Sequence, residues 1–241
     1  SLMLNSGYLD YSINSAIAEL IDNSIQATLG QDRRIISVAF NPEQRFLEIA
    51  DTGKGMSPQE LINFARLGGT GKTEESRIVR LSTEKRRNAT SELSRFGVGA
   101  KNGALRLGDS VVVSTRTEGS DVVWEITLDK DRYRSSTDAA AGALQPWTAP
   151  TRRREAKSDD KDHFTRVRIE GLDEDLCTRL NVGDKTGSGS SQLVLDRLRN
   201  WIAHVYHFYL FGLDGNLPDV AASADPSPFV PLNIEVNNRR L

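Results

Sequence analysis

The stretch RFLEIADTGKGM, residues 45–56, constrains the fold more than any other. RFLEIAD alternates apolar and polar residues in the manner of a half-buried strand. It then runs without a linker into Asp51-Thr52-Gly53-Lys54-Gly55. A carboxylate followed by two glycines at a strand end lets backbone come close to a ligand, because glycine carries no Cβ. The preceding RIISVAF also alternates, and the turn NPEQ between the two runs makes them a hairpin. Taken alone, D-x-G-x-G is a weak signal that a plain turn also satisfies.

Its neighbours sharpen it. Upstream, INSAIAELIDNSIQA has helical periodicity. At about 100° per residue, Ile13, Ala16, Ile17, Leu20, Ile21 and Ala27 form one apolar arc. Glu19 and Asn23 fall one turn apart at the edge of that arc, and Asp22 falls on the far side. Downstream, SPQELINFARL predicts a helix with Ser57 as N-cap, Pro58 at the first helical position and Glu60 completing a capping box. Residues 66–95 are rich in Gly, Ser, Thr and basic side chains and read as a long mobile loop, a kind of segment that is usually functional.

Within that loop, GGTGKT looks like the end of a phosphate-binding P-loop. The pattern needs a first glycine where Arg66 stands, a strand before it and a sheet-packing helix after it. A helix precedes it instead, and the polar EESRIVRLSTEKRRNATSE follows. RFGVGAKNGALRLG then places Gly97, Gly99 and Lys101 at the start of a short helix. Free N–H groups and the helix dipole suit such a start to phosphate, though a glycine-rich helix start without a ligand fits the sequence as well.

Further on, DSVVVSTRT, DVVWEITLD and FTRVRIEGL predict strands. The polar stretch from about 130 to 162 reads as a surface excursion. LVLDRLRNWIAHVYHFYLFG predicts one apolar helix, in which His204 and His207 are packing residues rather than ligands. The tail DPSPFVPLNIEVNNRRL is Pro-rich and then strand-like. The chain of 241 residues is 38% hydrophobic and 27% charged, with a formal net charge of −2, so bulk charge argues for neither nucleic acid nor membrane. No apolar run approaches the roughly 20 residues that span a bilayer, and SLMLNSGYLDYS lacks the basic start and apolar core of a signal peptide. Cys177 is the only cysteine, which excludes an internal disulfide. No zinc-spaced Cys/His cluster, hydrolase elbow or internal repeat occurs.

The order of these features resembles the GHKL ATPases (gyrase, Hsp90, histidine kinase, MutL). ELIDN is similar to their N-box, DTGKGM to their G1 box and FGVGAK to their G2 box. The match falls on Glu19, Asn23, Asp51, Gly53, Gly55, Met56, Gly97, Gly99 and Lys101. Within the superfamily, AIAELIDNS and GAKNGALRLGDSVVVSTRT are similar to microrchidia-type chromatin ATPases. HFTRVRIEGL and LRNWIAHVYHFYLFG look more like the structural-maintenance-of-chromosomes hinge-domain-containing group.

The resemblance implies an α/β (α+β) two-layer Bergerat sandwich, a mixed and mostly antiparallel sheet packed on helices. The ATPase domain would span 1–212, with a lid at about 66–95, and 213–241 would be an extension opening a further domain. It also implies ATP and Mg²⁺. Asp51 would accept from the adenine amino group, supported by Thr165 through water, and Met56 would line the base pocket. Asn23 would ligate Mg²⁺. Gly97, Val98, Gly99 and Ala100 would hold phosphate by backbone N–H groups, and Lys101 would add charge. Lys72, with Thr70 and Thr73, would approach the phosphates as part of the lid. Glu19 would orient or deprotonate the attacking water.

The expected function is slow ATP hydrolysis driving a nucleotide-dependent homodimer switch. The expected setting is a larger chromatin-associated protein, nuclear by resemblance or else cytoplasmic, with DNA or chromatin partners and no membrane. Hydrolysis in isolation would be weak, because many GHKL ATPases draw a lysine from a following domain and none is placed after Gly212. Three other readings stay open: an interaction module without turnover, a histidine-kinase-like phosphotransferase, which Glu19 disfavours, and direct phosphate-backbone binding through the basic lid and TRRREAK.

Overall fold

Period-two patterning sets the inner face of one sheet. The computed structural model describes residues 13–65, 104–105, 107–131, 151–158, 160–173, 191–211 and 232–241. Helix α1 (Ile13–Ala27) leads into the hairpin β1 (Arg34–Asn41) and β2 (Phe46–Asp51), then α2 (Pro58–Ala65). There follow β3 (Ser110–Arg116), β4 (Val122–Asp129), β5 (Thr151–Glu155) and β6 (Phe164–Glu170). Helices α3 (Ser191–Val205) and α4 (His207–Phe211) precede β7 (Leu232–Val236) and β8 (Arg239–Arg240). The strands lie in the order β5-β4-β3-β6-β2-β1-β7-β8. Among the described strands, only β1 and β7 pair in parallel; the other neighbours are antiparallel.

Alternate residues of each central strand enter a single core. Ile36 and Val38 of β1, Leu47 and Ile49 of β2, Val111 and Val113 of β3, and Val167 and Ile169 of β6 meet Ile17, Leu20, Ile21 and Ile25 of α1. Ala16, Ile17, Leu20 and Ile21 of the arc read from the helical wheel lie in this core; Ile25, outside that arc, joins them, and Ala27 is only partly buried. Leu198 and Ile202 of α3, with Tyr206 and Leu210, complete the same core. The opposite face of the sheet is polar, where Glu48 pairs with both Arg166 and Arg168 at 3.6 and 3.3 Å. This is the two-layer α/β sandwich expected from the sequence.

Local signals also hold. The Ser57 N–H donates to Glu60 Oε2 at 2.8 Å and the Glu60 N–H to Ser57 Oγ at 3.3 Å, the reciprocal pair of a capping box. Asn237 and Asn238, at φ 46° and 60°, make the tight turn between β7 and β8, the left-handed pair that a two-residue hairpin of type I′ requires.

Four expectations are corrected. The polar stretch 130–162 is not all surface excursion, because Thr151–Glu155 pairs along β4 as the sheet's edge. Backbone hydrogen bonds hold that strand while its arginines point largely to water, so hydrophobic periodicity gave no sign of it. Residues 232–241 belong to this sheet rather than leading away from it: β7 pairs with β1 and buries Leu232, Ile234 and Val236. The long apolar helix breaks at Tyr206 into α3 and α4. His204 and His207 are exposed, not packing residues.

Candidate functional site

The site grows from the end of β2. Asp51 is its last residue and sits opposite Thr165 of β6, which in turn sits opposite Thr115 of β3. The pleat turns all three to the helical side of the sheet. Asp51 is 3% exposed. Its Oδ1 accepts the Gly53 N–H at 2.8 Å, and Ser24 of α1 and the Thr165 backbone also hydrogen-bond to the carboxylate. Burial outweighs these donors and pushes the Asp51 carboxyl up to about 6. An ionised carboxylate has about four acceptor positions. The Gly53 N–H uses one of these, so the carboxylate keeps acceptor capacity for an incoming N–H.

The turn after Asp51 can only be made with glycine. A Cβ on Gly53 would come within 2.7 Å of Ala27 Cβ and of Ala27 O at the end of α1. Gly55 has φ +70°, and a Cβ there would sit 2.0 Å from the Arg116 carbonyl. The turn is wedged between the helix and β3. Thr115 Oγ1, fully buried, accepts the Met56 N–H at 2.7 Å and donates to the Phe164 carbonyl at 3.0 Å. Met56 is half-buried and packs on the core. His163 Nδ1 lies 2.7 Å from the Gly53 carbonyl.

Helix α1 carries Glu19 and Asn23. Glu19 and Asn23 are both half-buried and one turn apart, and Asn23 directly precedes Ser24, which reaches Asp51. Asp22 does not face away from the fold, as the helical wheel suggested. The Tyr206 hydroxyl donates to Asp22 Oδ1 at 2.9 Å, shared with the Ala18 carbonyl at 3.1 Å. The C-terminal helices cover that side of α1, and burial raises the Asp22 carboxyl above its ordinary range. Among the described residues, no three His, Cys, Asp or Glu side chains gather as a metal site. A neutral amide oxygen such as that of Asn23 still fits Mg²⁺, which uses few protein ligands and completes its shell with phosphate oxygens and water.

Lys72, Gly97, Val98, Gly99, Ala100 and Lys101 lie outside the described residues, as do Thr70, Thr73 and the predicted lid. The structure thus brings together Asp51, Gly53, Gly55, Met56 and Thr165, and carries Glu19 and Asn23 on α1. Sequence reasoning missed Ser24, Thr115 and His163. Two of these were within reach: Ser24 and Thr115 are hydroxyls at positions where the helical and strand periods call for an apolar side chain. His163 precedes its strand and carries no such mark.

Residues 11–161 match the family described as Histidine kinase-, DNA gyrase B-, and HSP90-like ATPase, and the chain belongs to that family. It is similar to the human Structural maintenance of chromosomes flexible hinge domain-containing protein 1, at 28% identity over 92% of this chain and 12% of that protein. It is also similar to Chaperone protein HtpG of Oleidesulfovibrio alaskensis, at 36% over 39% of this chain and 14% of that protein. ATPase morc-1 of Caenorhabditis elegans is 32% identical over 44% of this chain and 10% of that protein. The chain therefore spans about an eighth of the length of the first of these relatives.

Proposed function

We propose that this chain binds ATP with Mg²⁺ and slowly hydrolyses it to ADP and phosphate. Nucleotide occupancy then acts as a conformational and dimerisation switch. The observation that carries the reading is Asp51: a buried carboxylate at a strand end, held by the Gly53 N–H of its own turn and able to accept more than one donor. The adenine amino group is a donor of that kind. A hydrogen bond to a charged group contributes about 1.5–3 kcal/mol, so Asp51 governs base choice. Thr165, opposite Asp51 in the next strand, supports the base through water, and Met56 lines the pocket.

Asn23 holds Mg²⁺, which neutralises phosphate charge when bound. Glu19, one turn before Asn23, orients or deprotonates the attacking water. Gly97, Val98, Gly99 and Ala100 supply backbone N–H groups to the phosphates, Lys101 adds charge there, and Lys72 reaches them from the lid spanning 66–95. A chromatin and nuclear setting is supported by the likeness to a protein named for the structural maintenance of chromosomes. In that relative the matching region forms about an eighth of the length.

Equilibrium binding of ATP with Mg²⁺ to the wild type, Asp51→Asn and Lys72→Ala tests the pocket. Asp51→Asn is expected to abolish binding and Lys72→Ala only to weaken it. The reverse pattern would mean that GGTGKT is the phosphate site and that this assignment is wrong. Glu19→Ala is expected to keep ATP and lose turnover by about 10²-fold or more, the contribution typical of a general base. Turnover unchanged in that variant would favour a nucleotide-gated module without true hydrolysis.

A further inference from the structure

The Gly53–Lys54 peptide is bonded at both ends. Its N–H, on Lys54, donates to the Ala27 carbonyl at the end of α1 at 3.3 Å. Its carbonyl, on Gly53, lies 2.7 Å from His163 Nδ1. One peptide plane thus ties the helix carrying Glu19 and Asn23 to the residue just before β6, the strand carrying Thr165. The same glycine donates its own N–H to Asp51. The carbonyl can only accept, so His163 is the donor, with its proton on Nδ1. Both the neutral Nδ1–H tautomer and the imidazolium can make this bond.

Thr115 completes the arrangement from the other side, holding the Met56 N–H at the far end of the turn. With both glycines closed in by backbone, the turn has few ways to relax once a bond is lost. We infer that His163 is a positioning residue for base recognition: its Nδ1–H fixes the Gly53–Lys54 peptide, and through it the placement of Asp51 against α1 and Thr165. This rests on the nucleotide reading above for its function, but the clamp itself has a test without nucleotide.

The variants are His163→Phe, which keeps a ring and removes the donor, and His163→Asn, whose amide nitrogen can stand where Nδ1 stands. In the apo protein, hydrogen exchange of the Lys54 amide is expected to accelerate in His163→Phe and to stay near wild type in His163→Asn. Unchanged exchange in His163→Phe overturns the clamp whether or not the chain binds ATP. With Mg²⁺ present, His163→Phe is expected to weaken ATP binding roughly fivefold, the scale of one lost hydrogen bond. Tripolyphosphate, which has no base, is expected to bind both proteins alike, and His163→Asn to recover ATP affinity to within about twofold. Equal losses for ATP and tripolyphosphate, or no recovery in His163→Asn, overturn the role in base recognition. A wild type that fails to bind ATP overturns the nucleotide reading instead, leaving the exchange result to decide the clamp.

Discussion

Asp51 is held where it is costly to hold it. A carboxylate at 3% exposure with an elevated pKa of about 6 is stabilised by its neighbours less than water would stabilise it. The folded value lies above the ordinary 3.8, so the folded state takes up the proton first as pH falls. The contribution of Asp51 to stability therefore rises as pH drops from about 6 towards 4, and the cost of its ionised form is fully present above 6. Asp51→Asn removes the charge and keeps an oxygen for the Gly53 N–H. The apo variant is expected to unfold at a higher temperature than wild type at pH 7, with the gap closing by pH 4, while ATP binding is lost. Thermal unfolding of both proteins at pH 7 and pH 4 checks this, and a variant less stable at pH 7 would refute it. Such a gain in stability with loss of binding is the usual trade at a functional residue. Asp51 was legible in the sequence because chemistry and position coincide there. The Thr115 hydroxyl, which holds the Met56 N–H at the far end of the same turn, was marked only as a polar residue at an apolar strand position, because its partner lies 59 residues away.

At the level of elements, α1 is gripped on two sides. Its apolar arc lies on the sheet, and its second side meets Tyr206 at the break between α3 and α4. Tyr206 is 3% exposed, and burial raises its hydroxyl pKa, so the hydroxyl keeps its proton and donates it to Asp22. Tyr206→Phe leaves the Asp22 carboxylate half-buried without that donor. The expected cost is about 1–2 kcal/mol by chemical denaturation, and the pair Asp22→Asn with Tyr206→Phe is expected to cost less than the two single changes added. Strict additivity would show that the bond carries no coupling. The helical wheel placed Asp22 correctly relative to Glu19 and Asn23 but could not see this second contact, which joins residues 184 positions apart. Strong periodicity made α1, the hairpin and the capped α2 readable. β5 escaped because its TRRRE sequence buries neither face.

On the scale of the whole molecule, residues 232–241 extend the sheet beyond β1 as β7 and β8. β7 lies parallel to β1, so it can only arrive by a crossover, here by way of α3 and α4. Asn237 then continues the join with its side chain, taking the Phe40 N–H at 2.8 Å and giving to the Phe40 carbonyl at 3.0 Å. Leu232, Ile234 and Val236 are each at most 1% exposed. Fully burying three such side chains contributes roughly 5–9 kcal/mol at about 1.5–3 each, against a total stability of about 5–15 for an ordinary domain. Removing residues 232–241 would also bare the edge of β1 and uncover Ile36 and Val38 of the core. The chain ending at 231 is therefore expected to lose its cooperative thermal transition and its ATP binding together. Ile234→Ala in the full chain, costing about 2–5 kcal/mol, is expected to keep the transition at a lower temperature. If the shortened chain instead melts like the full one, β7 is an appendage and the domain ends near 212, the boundary expected from sequence. If it does not melt cooperatively, the returning strand is part of the unit that holds Asp51 beneath α1.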